Sequence, residues 1–468
     1  MLYKYFRILL AGILLLILAS SSQATLPPLL HPVNFNGVDL IAAGGSYPPG
    51  THGAVGLNHF VQVTNSHLDI YQRIAPPKRV VGRNLASFFN YATQPLLDPR
   101  VLYDAVADRW IISANAFAES ATMQKFFVAA SQTGDPTGSW YIYQVNVSNG
   151  SGAKGEVQWQ FPQMGLDANA VIFTANFFTP TGTLIDARLF TVAKSTLYSG
   201  PSQALSPVFV IGLHDTLAPP IVLDTNTSSF LVAADDIAAN QVWIYTLTNS
   251  ASNPPTVSSP TGMSVTAFTA PPPAPQPGTS ATLDTADCRF INASTQIGNS
   301  LFQIHTVNIS GYARPRFYEF DTVNKVVLQS GTFSRSATSH DFNAAIAANS
   351  NKDVFVTWSA TDPTNSINAA VHFSGRLHDD AAGVIPGPGQ CLFTSTTALT
   401  GNPFSEGDTH QRWGRCSALS LDPSNNRGMT IYVFNETILT SYYWGTRIGR
   451  FAPPSFLPAV YMLLLMGQ

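Results

Sequence analysis

Charged residues are scarce in this chain of 468 residues. Asp, Glu, Lys and Arg make up 11% of it and the formal net charge is −3, whereas about 25% is usual for soluble proteins. No cluster of basic residues appears, so the sequence predicts no nucleic-acid partner. Apolar residues at helical spacing are also missing beyond the N-terminus. With 33 Gly and 33 Pro and little Glu or Lys, the composition favours strands and turns.

Cysteine is almost absent as well. The three cysteines are Cys288, Cys391 and Cys416, and an odd number in an exported chain leaves at least one thiol unpaired or intermolecular. The fold must therefore rest on its apolar core, which the 45% of hydrophobic residues can supply. Cys391 and Cys416 are closest in sequence and are the predicted disulfide pair, although spacing alone does not fix connectivity.

The N-terminus has the features of a cleavable signal peptide over residues 1–24. Lys4 and Arg7 precede an apolar run over residues 8–19, and small residues end the segment at Ala24. The alternative, an uncleaved membrane anchor, is disfavoured because the run is short for a span of about 20 residues. We expect cleavage after Ala24 and a secreted protein, extracellular or periplasmic.

The C-terminal residues 455–468 form a second apolar segment, again too short for a membrane span. A closing strand, a docking peptide and a tail that associates weakly with membranes all stay open for it. The sequence thus predicts a signal peptide (1–24), one β-rich domain (25–454) and this tail, with no transmembrane span.

Groups of three or four predicted strands recur every ~40–60 residues, which is the scale of propeller blades. Each group opens with a strand of small or apolar residues, as in "DPRVLYD" and "RCSALSLD", followed by a strand of larger residues such as "KDVFVTWSA". The fold class predicted is all-β, as a single β-propeller of seven blades, with six or eight left open. A pair of β-sandwich domains is the competing arrangement. The Pro-rich stretch over residues 254–277 is interpreted as a long loop between blades. The groups lie near residues 55–75, 98–147, 167–197, 219–247, 284–333, 341–376 and 410–447.

Several segments resemble a group of uncharacterised exported bacterial proteins with propeller folds. They are "DPRVLYDAVADRWIISA" (98–114), "AASQTGDPTGSWYIYQV" (129–145), "APQPGTSATLDTADCRF" (274–290), and "RWGRCSALSLDPSNNR" (412–427) with "YWGTRIG" (443–449). The resemblance implies the fold and carries no activity. This chain departs from the group's pattern at one place, where Gly414-Arg415-Cys416-Ser417 stands for an expected Gly-Asp-Tyr-Ser.

One further segment is similar to the Asp-box of sialidase-like propellers. It runs from Ser131 through Asp135 and Gly138 to Trp140, and its spacing departs from the usual Ser-x-Asp-x-Gly-x-x-Trp. A hairpin turn explains these residue types, because Asp135 can accept hydrogen bonds from turn amides, Gly138 can take a positive φ and Trp140 can pack between strands. The segment predicts a structural turn.

Three of the strand groups carry an arginine close to their start: Arg100, Arg289 and Arg412. If the repeats align, these side chains converge near the channel mouth as candidate ligand-binding residues. Guanidinium groups match carboxylates in geometry, as in the arginine clusters of sialidases. The alternative is that each arginine pairs with a nearby acid, such as Asp98 or Asp287, and fastens neighbouring blades together.

No motif assigns chemistry beyond this. The sequence lacks zinc-binding His spacings, a Gly-x-Ser-x-Gly elbow and a phosphate-binding Gly loop. No metal site and no cofactor are predicted; the acidic pairs in loops leave calcium open but match no calcium-binding spacing. The sequence therefore predicts a secreted binding module that presents a propeller face to a glycan or a protein. A sialidase-like glycan hydrolase that uses the arginine cluster is the alternative, and whether the protein is an enzyme stays open. Four aromatic residues near turns are candidates for stacking on sugar rings: Trp140, Trp243, Trp413 and Trp444.

Overall fold

A computed structural model describes residues 29–116, 119–120, 123–148, 158–179, 181–200, 205–236, 238–424 and 430–452. The predicted signal peptide and the apolar C-terminal tail lie outside these described residues.

The described chain is a β-propeller built of antiparallel strand groups, as the sequence predicts. Three four-stranded sheets run in chain order from the innermost strand outward. The first holds β2 (His52–Val55), β3 (His59–Thr64), β4 (His67–Gln72) and β5 (Lys78–Asn84). The second holds β6 (Leu97–Asp104), β7 (Arg109–Asn115), β8 (Lys125–Ser131) and β9 (Trp140–Asn146). The third holds β25 (His340–Ala348), β26 (Val354–Asp362), β27 (Ile367–Arg376) and β28 (Gln390–Thr394).

A nine-stranded sheet joins two further groups through one short parallel strand. Its first group is β10 (Gln158–Leu166), β11 (Ala170–Phe178), β12 (Leu184–Ala193) and β13 (Val210–Leu213). Its second is β21 (Ser294–Ile297), β22 (Ser300–Ile309), β23 (Tyr312–Asp321) and β24 (Val326–Thr332). Between them, β14 (Pro220–Val222) pairs in parallel with both β10 and β21.

The next group follows β14 in the chain and contains the Pro-rich stretch. Its strands are β15 (Ser229–Ala234), β16 (Ala238–Thr248), β17 (Thr256–Val257) and β18 (Thr261–Thr269). The interpretation of residues 254–277 as a loop is therefore wrong in part, because β17 and β18 both pair with β16 there. A single bridge, Ala218↔Val232, connects the segment before β14 to β15. The number of blades depends on whether β14 is counted with this group, so seven blades stays a prediction.

The last group combines both ends of the described chain. It consists of β30 (Ala418–Leu421), β31 (Ile431–Thr440), β32 (Tyr443–Ala452) and, outermost, β1 (Leu29–Asp39). The innermost strands β2, β6, β10, β14, β21, β25 and β30 contact one another in this order, and β30 contacts β2. The ring is therefore closed, and the N-terminal strand completes the final sheet.

The remaining described elements are short. A small sheet of β19 (Ala274–Pro275), β20 (Thr282–Leu283) and β29 (His410–Gln411) joins two loops. The helices are α1 (Leu85–Phe88), α2 (Lys194–Ser199) and a 3₁₀ turn (Pro363–Asn365).

The core lies between neighbouring sheets, where large apolar side chains meet. Between the second group and the β10–β13 group, the rings of Phe126 and Trp159 lie 5.5 Å apart and those of Phe173 and Phe190 5.0 Å apart. All four are fully buried, and each stabilises the fold by roughly 1.5–3 kcal/mol through the apolar area removed from water. The inner strand β25 instead carries mostly small residues where it passes close to the axis.

Candidate functional site

A cavity of about 400 Å³ opens at the end of the channel where the inner strands begin. We call this end of the channel the mouth and this space the mouth cavity. This volume lies within the ~300–1,000 Å³ usual for ligand pockets. Its walls contain four arginines, two carboxylates and two phenylalanines. These eight residues are Arg100, Arg289, Arg412, Arg415, Asp98, Asp284, Phe161 and Phe404.

The structure brings all three predicted arginines to this one cavity. Arg100 lies on the innermost strand β6. The expectation that the other two also open inner strands is wrong, because Arg289 lies in the loop before β21 and Arg412 directly follows β29. Those two inner strands begin only at Ser294 and Ala418. The arginines meet because three different backbone elements reach the same mouth.

Arg289 is held by carboxylates. Its Nη2 lies 2.7 Å from Asp287 Oδ2 and its Nη1 3.0 Å from Asp215 Oδ2. Burial opposes the charged forms, yet the hydrogen bonds and charge of Arg289, helped by Arg415, keep the pKa of Asp287 below its usual value. The same carboxylates overcome the effect of burial on Arg289 and raise its pKa. Arg289 therefore fastens two loops together, as the alternative interpretation expected for each arginine.

Arg415 is the cavity arginine that sequence reasoning missed. Its Nη1 lies 3.4 Å from Asp287 Oδ2 and its Nε 4.0 Å from Asp284 Oδ2, so it joins the same ion-paired network. The available signal was the departure from the Gly-Asp-Tyr-Ser pattern, because Arg415 occupies the position where an Asp was expected.

Arg100 and Arg412 differ from this pair. Among the described residues neither forms an ion pair; Arg100 Nη1 donates to the Pro99 carbonyl (3.2 Å) and Arg412 Nη2 to the Phe404 carbonyl (2.9 Å). The Arg412 guanidinium also lies over the Phe404 ring, 5.5 Å from its centroid. Each guanidinium carries five N–H donors. Both residues therefore keep donors that a bound anion can use.

The backbone at the mouth takes positive φ values in a repeating way. A residue with positive φ lies early in each inner strand or in the loop leading into it. These residues are Gly50 (58°), Asp98 (49°), Phe161 (55°), Thr216 (48°), Ala286 (59°), Asn343 (50°) and Gly414 (123°). The left-handed region disfavours most side chains, and such outliers concentrate at functional sites. The mouth is thus the place where the fold holds its inner strands out of regular geometry.

Phe161 shows what the strain achieves. It lies in a bulge of β10, between the registered pairs of Gln160 and Gln163, and a bulge re-aims the side chains next to it. Its ring faces the guanidinium groups of Arg415 and Arg289 at 5.2 and 5.9 Å. A bulky residue at positive φ is rare, and here it supplies an aromatic wall beneath two of the cavity's cations.

Gly414 and the buried carboxyl group of Glu436 lie behind the cavity wall. A Cβ at Gly414 would lie 2.5 Å from Glu436 Oε1, and the φ of 123° also requires glycine. Glu436 is 1% exposed, and its Oε2 has no hydrogen-bond partner among the described residues. Burial, with a smaller contribution from the charge of Asp284, raises the pKa of Glu436 well above its usual value. Burial likewise raises the pKa of the neighbouring Cys416 thiol.

The channel below the mouth has a different lining. It encloses about 280 Å³ between small and aliphatic side chains such as Ala54, Ala345 and Leu421. His52 lies where this lining begins, and burial, reinforced by the charge of Arg100, lowers its pKa to about 3. This part of the channel is therefore largely apolar and uncharged.

The predicted disulfide is wrong, because all three cysteines are free thiols. Cys391 is exposed on β28, the outermost strand of its sheet, where its Sγ contacts Thr394 Oγ1 at 3.2 Å. Cys416 is buried in the wall of the mouth cavity. Proximity in sequence does not predict a disulfide here, because the chain runs from an outer strand at Cys391 to the axis at Cys416.

The predicted turn after Ser131 is a compact hairpin loop. Asp135 Oδ1 accepts hydrogen bonds from the backbone N and the hydroxyl of Thr137 (2.9 and 2.8 Å), and Trp140 Nε1 donates to the Pro136 carbonyl (3.0 Å). Gly138 does not take the expected positive φ. The likeness to an Asp-box stays a prediction.

The tryptophans are mostly core residues. Trp413 and Trp444 are fully buried, so neither can stack on a sugar ring. Trp140 packs edge-on against Phe88 (5.2 Å) and Trp243 stacks on His214 (4.4 Å).

No family model and no curated protein matches this chain in sequence. Solved structures with the propeller fold are similar to it. The Dos1 propeller is 8% identical, with a TM-score of 0.39, over 83% of this chain and 75% of that chain. An alpha-L-arabinanase of Penicillium chrysogenum, complexed with arabinobiose, is 8% identical with a TM-score of 0.38, over 91% and 100%. The exo-beta-1,3-galactanase of Phanerochaete chrysosporium, with galactose, is 10% identical with a TM-score of 0.34, over 91% and 99%. These likenesses concern the fold alone.

The described part of the chain lacks two features. It contains no helix long and apolar enough to cross a membrane. It also contains no group of three or more His, Cys, Asp or Glu side chains placed to hold a metal ion.

Proposed function

We propose that this protein is an exported binding module that holds a carboxylate-bearing glycan in the mouth cavity, with Arg100 and Arg412 binding the carboxylate. The observation that carries the proposal is that both arginines line one cavity while neither forms an ion pair among the described residues. Planar guanidinium groups bind carboxylates through paired hydrogen bonds. Arg289 and Arg415, which already have carboxylate partners, shape the cavity wall.

The test is calorimetric titration with D-glucuronate and N-acetylneuraminate, with D-glucose as the neutral control, at low salt. We expect Arg100→Gln and Arg412→Gln each to weaken the acids by about 10- to 100-fold, the usual worth of a hydrogen bond to a charged group. Arg83→Gln removes the same charge from the exposed outer strand β5 and should leave binding unchanged. Equal affinity for glucose and the acids, or equal effects of all three substitutions, would contradict the proposal.

A specific observation keeps hydrolysis as a second candidate. Asp98 and Asp284 line the same cavity as the arginines, and glycosidases use two carboxyl groups across the scissile bond. Burial raises the pKa of Asp98 against the charges of Arg100 and Arg415, which suits an acid that must stay protonated. A panel of fluorogenic uronides and sialosides tests this candidate. Turnover that is lost in Asp98→Asn or Asp284→Asn supports hydrolysis, and no turnover leaves binding as the function.

Export belongs to the same proposal and rests on the N-terminal residues 1–24. Mass spectrometry of the protein from its native source should find Thr25 as the first residue. A membrane-bound product that retains Met1 would contradict export by cleavage.

A further inference from the structure

One cavity residue has a buried hydrogen-bond acceptor without a donor. Gln163, on β10, lines the mouth cavity and is 3% exposed. Its Nε2 donates to the carbonyl of Phe290 (2.9 Å). A carbonyl only accepts hydrogen bonds, so the amide nitrogen must face Phe290 and the amide oxygen must face away. Within the described chain this oxygen, Oε1, is buried and has no donor.

The uncharged side chains of Asn65 and Thr216 in the same wall do not share this property. Asn65 uses both ends of its amide, since Nδ2 donates to the Pro48 carbonyl (2.7 Å) and Oδ1 accepts from the Asp98 amide (2.8 Å). Thr216 Oγ1 accepts from Asn176 Nδ2 (2.9 Å). Gln163 therefore stands out as an amide acceptor left free for a ligand.

A complementary free donor lies in the same cavity. Arg412 uses Nη2 for the Phe404 carbonyl, while its Nε is buried without an acceptor among the described residues. A buried polar atom left unpaired costs about 1–3 kcal/mol. A ligand that brings one acceptor for Arg412 and one donor for Gln163 recovers both contributions.

We infer that Gln163 determines specificity and that the ligand is a hydroxy acid, whose carboxylate is bound by Arg412 and whose hydroxyl donates to Gln163 Oε1. The inference rests on the proposed function and adds to it the residue that recognises a hydroxyl of the ligand. A site that hydrogen-bonds a hydroxyl discriminates strongly against an analogue that lacks it, because its own polar group is then left unpaired.

The experiment compares D-glucuronate with cyclohexanecarboxylate, which keeps the six-membered ring and the carboxylate but has no hydroxyl. Binding to the full chain is measured by calorimetry for the wild type, Gln163→Met and the control Gln62→Met. Methionine conserves the volume of glutamine and removes the acceptor. Gln62 is fully buried in β3 and lines neither the mouth nor the channel.

We expect the wild type to prefer glucuronate at least 10-fold. Gln163→Met should reduce that preference to about threefold or less by weakening glucuronate alone, and Gln62→Met should retain it. Arg412→Gln should weaken the binding of both acids by the same factor, because both carry the carboxylate.

Two results would overturn the inference while leaving the proposed function intact. One is equal affinity of the wild type for both acids, which needs no variant to fold. The other is an unchanged preference for glucuronate in Gln163→Met, which would mean that other groups of the protein bind the hydroxyls. If neither acid binds, the proposed function and the inference fail together, and glucose binding would then identify a neutral-sugar site.

Discussion

The mouth and the channel beneath it are built by the same inner strands, yet they differ in backbone, charge and side-chain size. At the mouth, residues such as Asp98, Phe161 and Thr216 are left-handed, and four arginines meet five nearby carboxyl groups. A few residues further along, β25 from Ala345 onward and β30 are regular and present alanine and leucine. Along the axis, the strained backbone of the inner strands thus lies at the charged mouth, and their regular part lines the apolar channel.

Gly414→Ala is the change that should break the mouth most severely. The new methyl group would lie 2.5 Å from Glu436 Oε1, at a φ of 123° that only glycine tolerates. We expect a loss of roughly 2–4 kcal/mol in unfolding free energy, as for overpacking combined with backbone strain. The control is Gly298→Ala, which has a φ of 55° and no neighbour within 4 Å; it should cost about 1 kcal/mol in chemical denaturation. Equal losses would show that the mouth is no more tightly packed than a surface turn.

Thiol reactivity compares the mouth with an outer strand. Exposed Cys391 should react with a thiol reagent at least ~100-fold faster than Cys416, whose burial withholds the thiolate from solvent. In the native protein one thiol should be titrated rapidly, and all three should react after denaturation without reductant. A single reactive thiol after denaturation would instead mean that a disulfide forms.

Glu436→Gln tests whether the buried carboxyl group behind the mouth destabilises the fold when it ionises. Because the pKa is raised in the folded state, the folded protein binds this proton more tightly than the unfolded chain. The stability that the protonated group contributes is present below the unfolded pKa and is lost as pH rises through the folded pKa. The advantage of the variant over the wild type should therefore grow with pH, by about 1.4 kcal/mol for each unit of pKa shift.

Urea denaturation at several pH values between 4 and 9 measures this difference. Glu406→Gln, in an exposed loop, is the matched control and should show no such trend. A pH-independent difference for Glu436→Gln would mean that the carboxyl group titrates normally.

The smallest expected effect is a change in stability that has opposite signs at the mouth and in the channel wall. Ala286→Gly replaces a left-handed alanine (φ 59°) at the mouth and should stabilise by a few tenths to about 1 kcal/mol through relief of strain. Ala347→Gly, in the regular part of β25 that lines the channel, should destabilise by about 1 kcal/mol. Equal signs in thermal unfolding would remove the distinction between the two regions.

The sequence predicted the propeller because its strand groups repeat small inner strands followed by larger ones, a pattern set by crowding around the axis. It also predicted that Arg100, Arg289 and Arg412 lie together at the mouth, since each stands near the start of a strand group. It could not predict the role of Glu436 or Gln163. These residues depend on which face of a strand points to the mouth, and the bulge next to Gln163 shifts that alternation by one position.

Which of the cavity arginines form ion pairs could not be predicted from the sequence either. Whether an arginine near a mouth pairs with an acid depends on loops distant in the chain, as when Asp215 reaches Arg289. The disulfide prediction failed for a related reason. Cys391 and Cys416 are close in sequence, but one lies on an outermost strand and the other lies near the axis.

The pairing of β1 with β32 has a consequence for how the protein is made. Arg447 Nε donates to Asn34 Oδ1 (2.6 Å) across 413 residues of chain, and the mouth itself combines Gly50 with Arg412 and Arg415. During synthesis, the mouth cavity therefore cannot form until almost the whole polypeptide has been made. Contacts of such long sequence separation fold slowly, so assembly of the blades precedes closure of the ring. The residues of the mouth cavity therefore come together only at that final step.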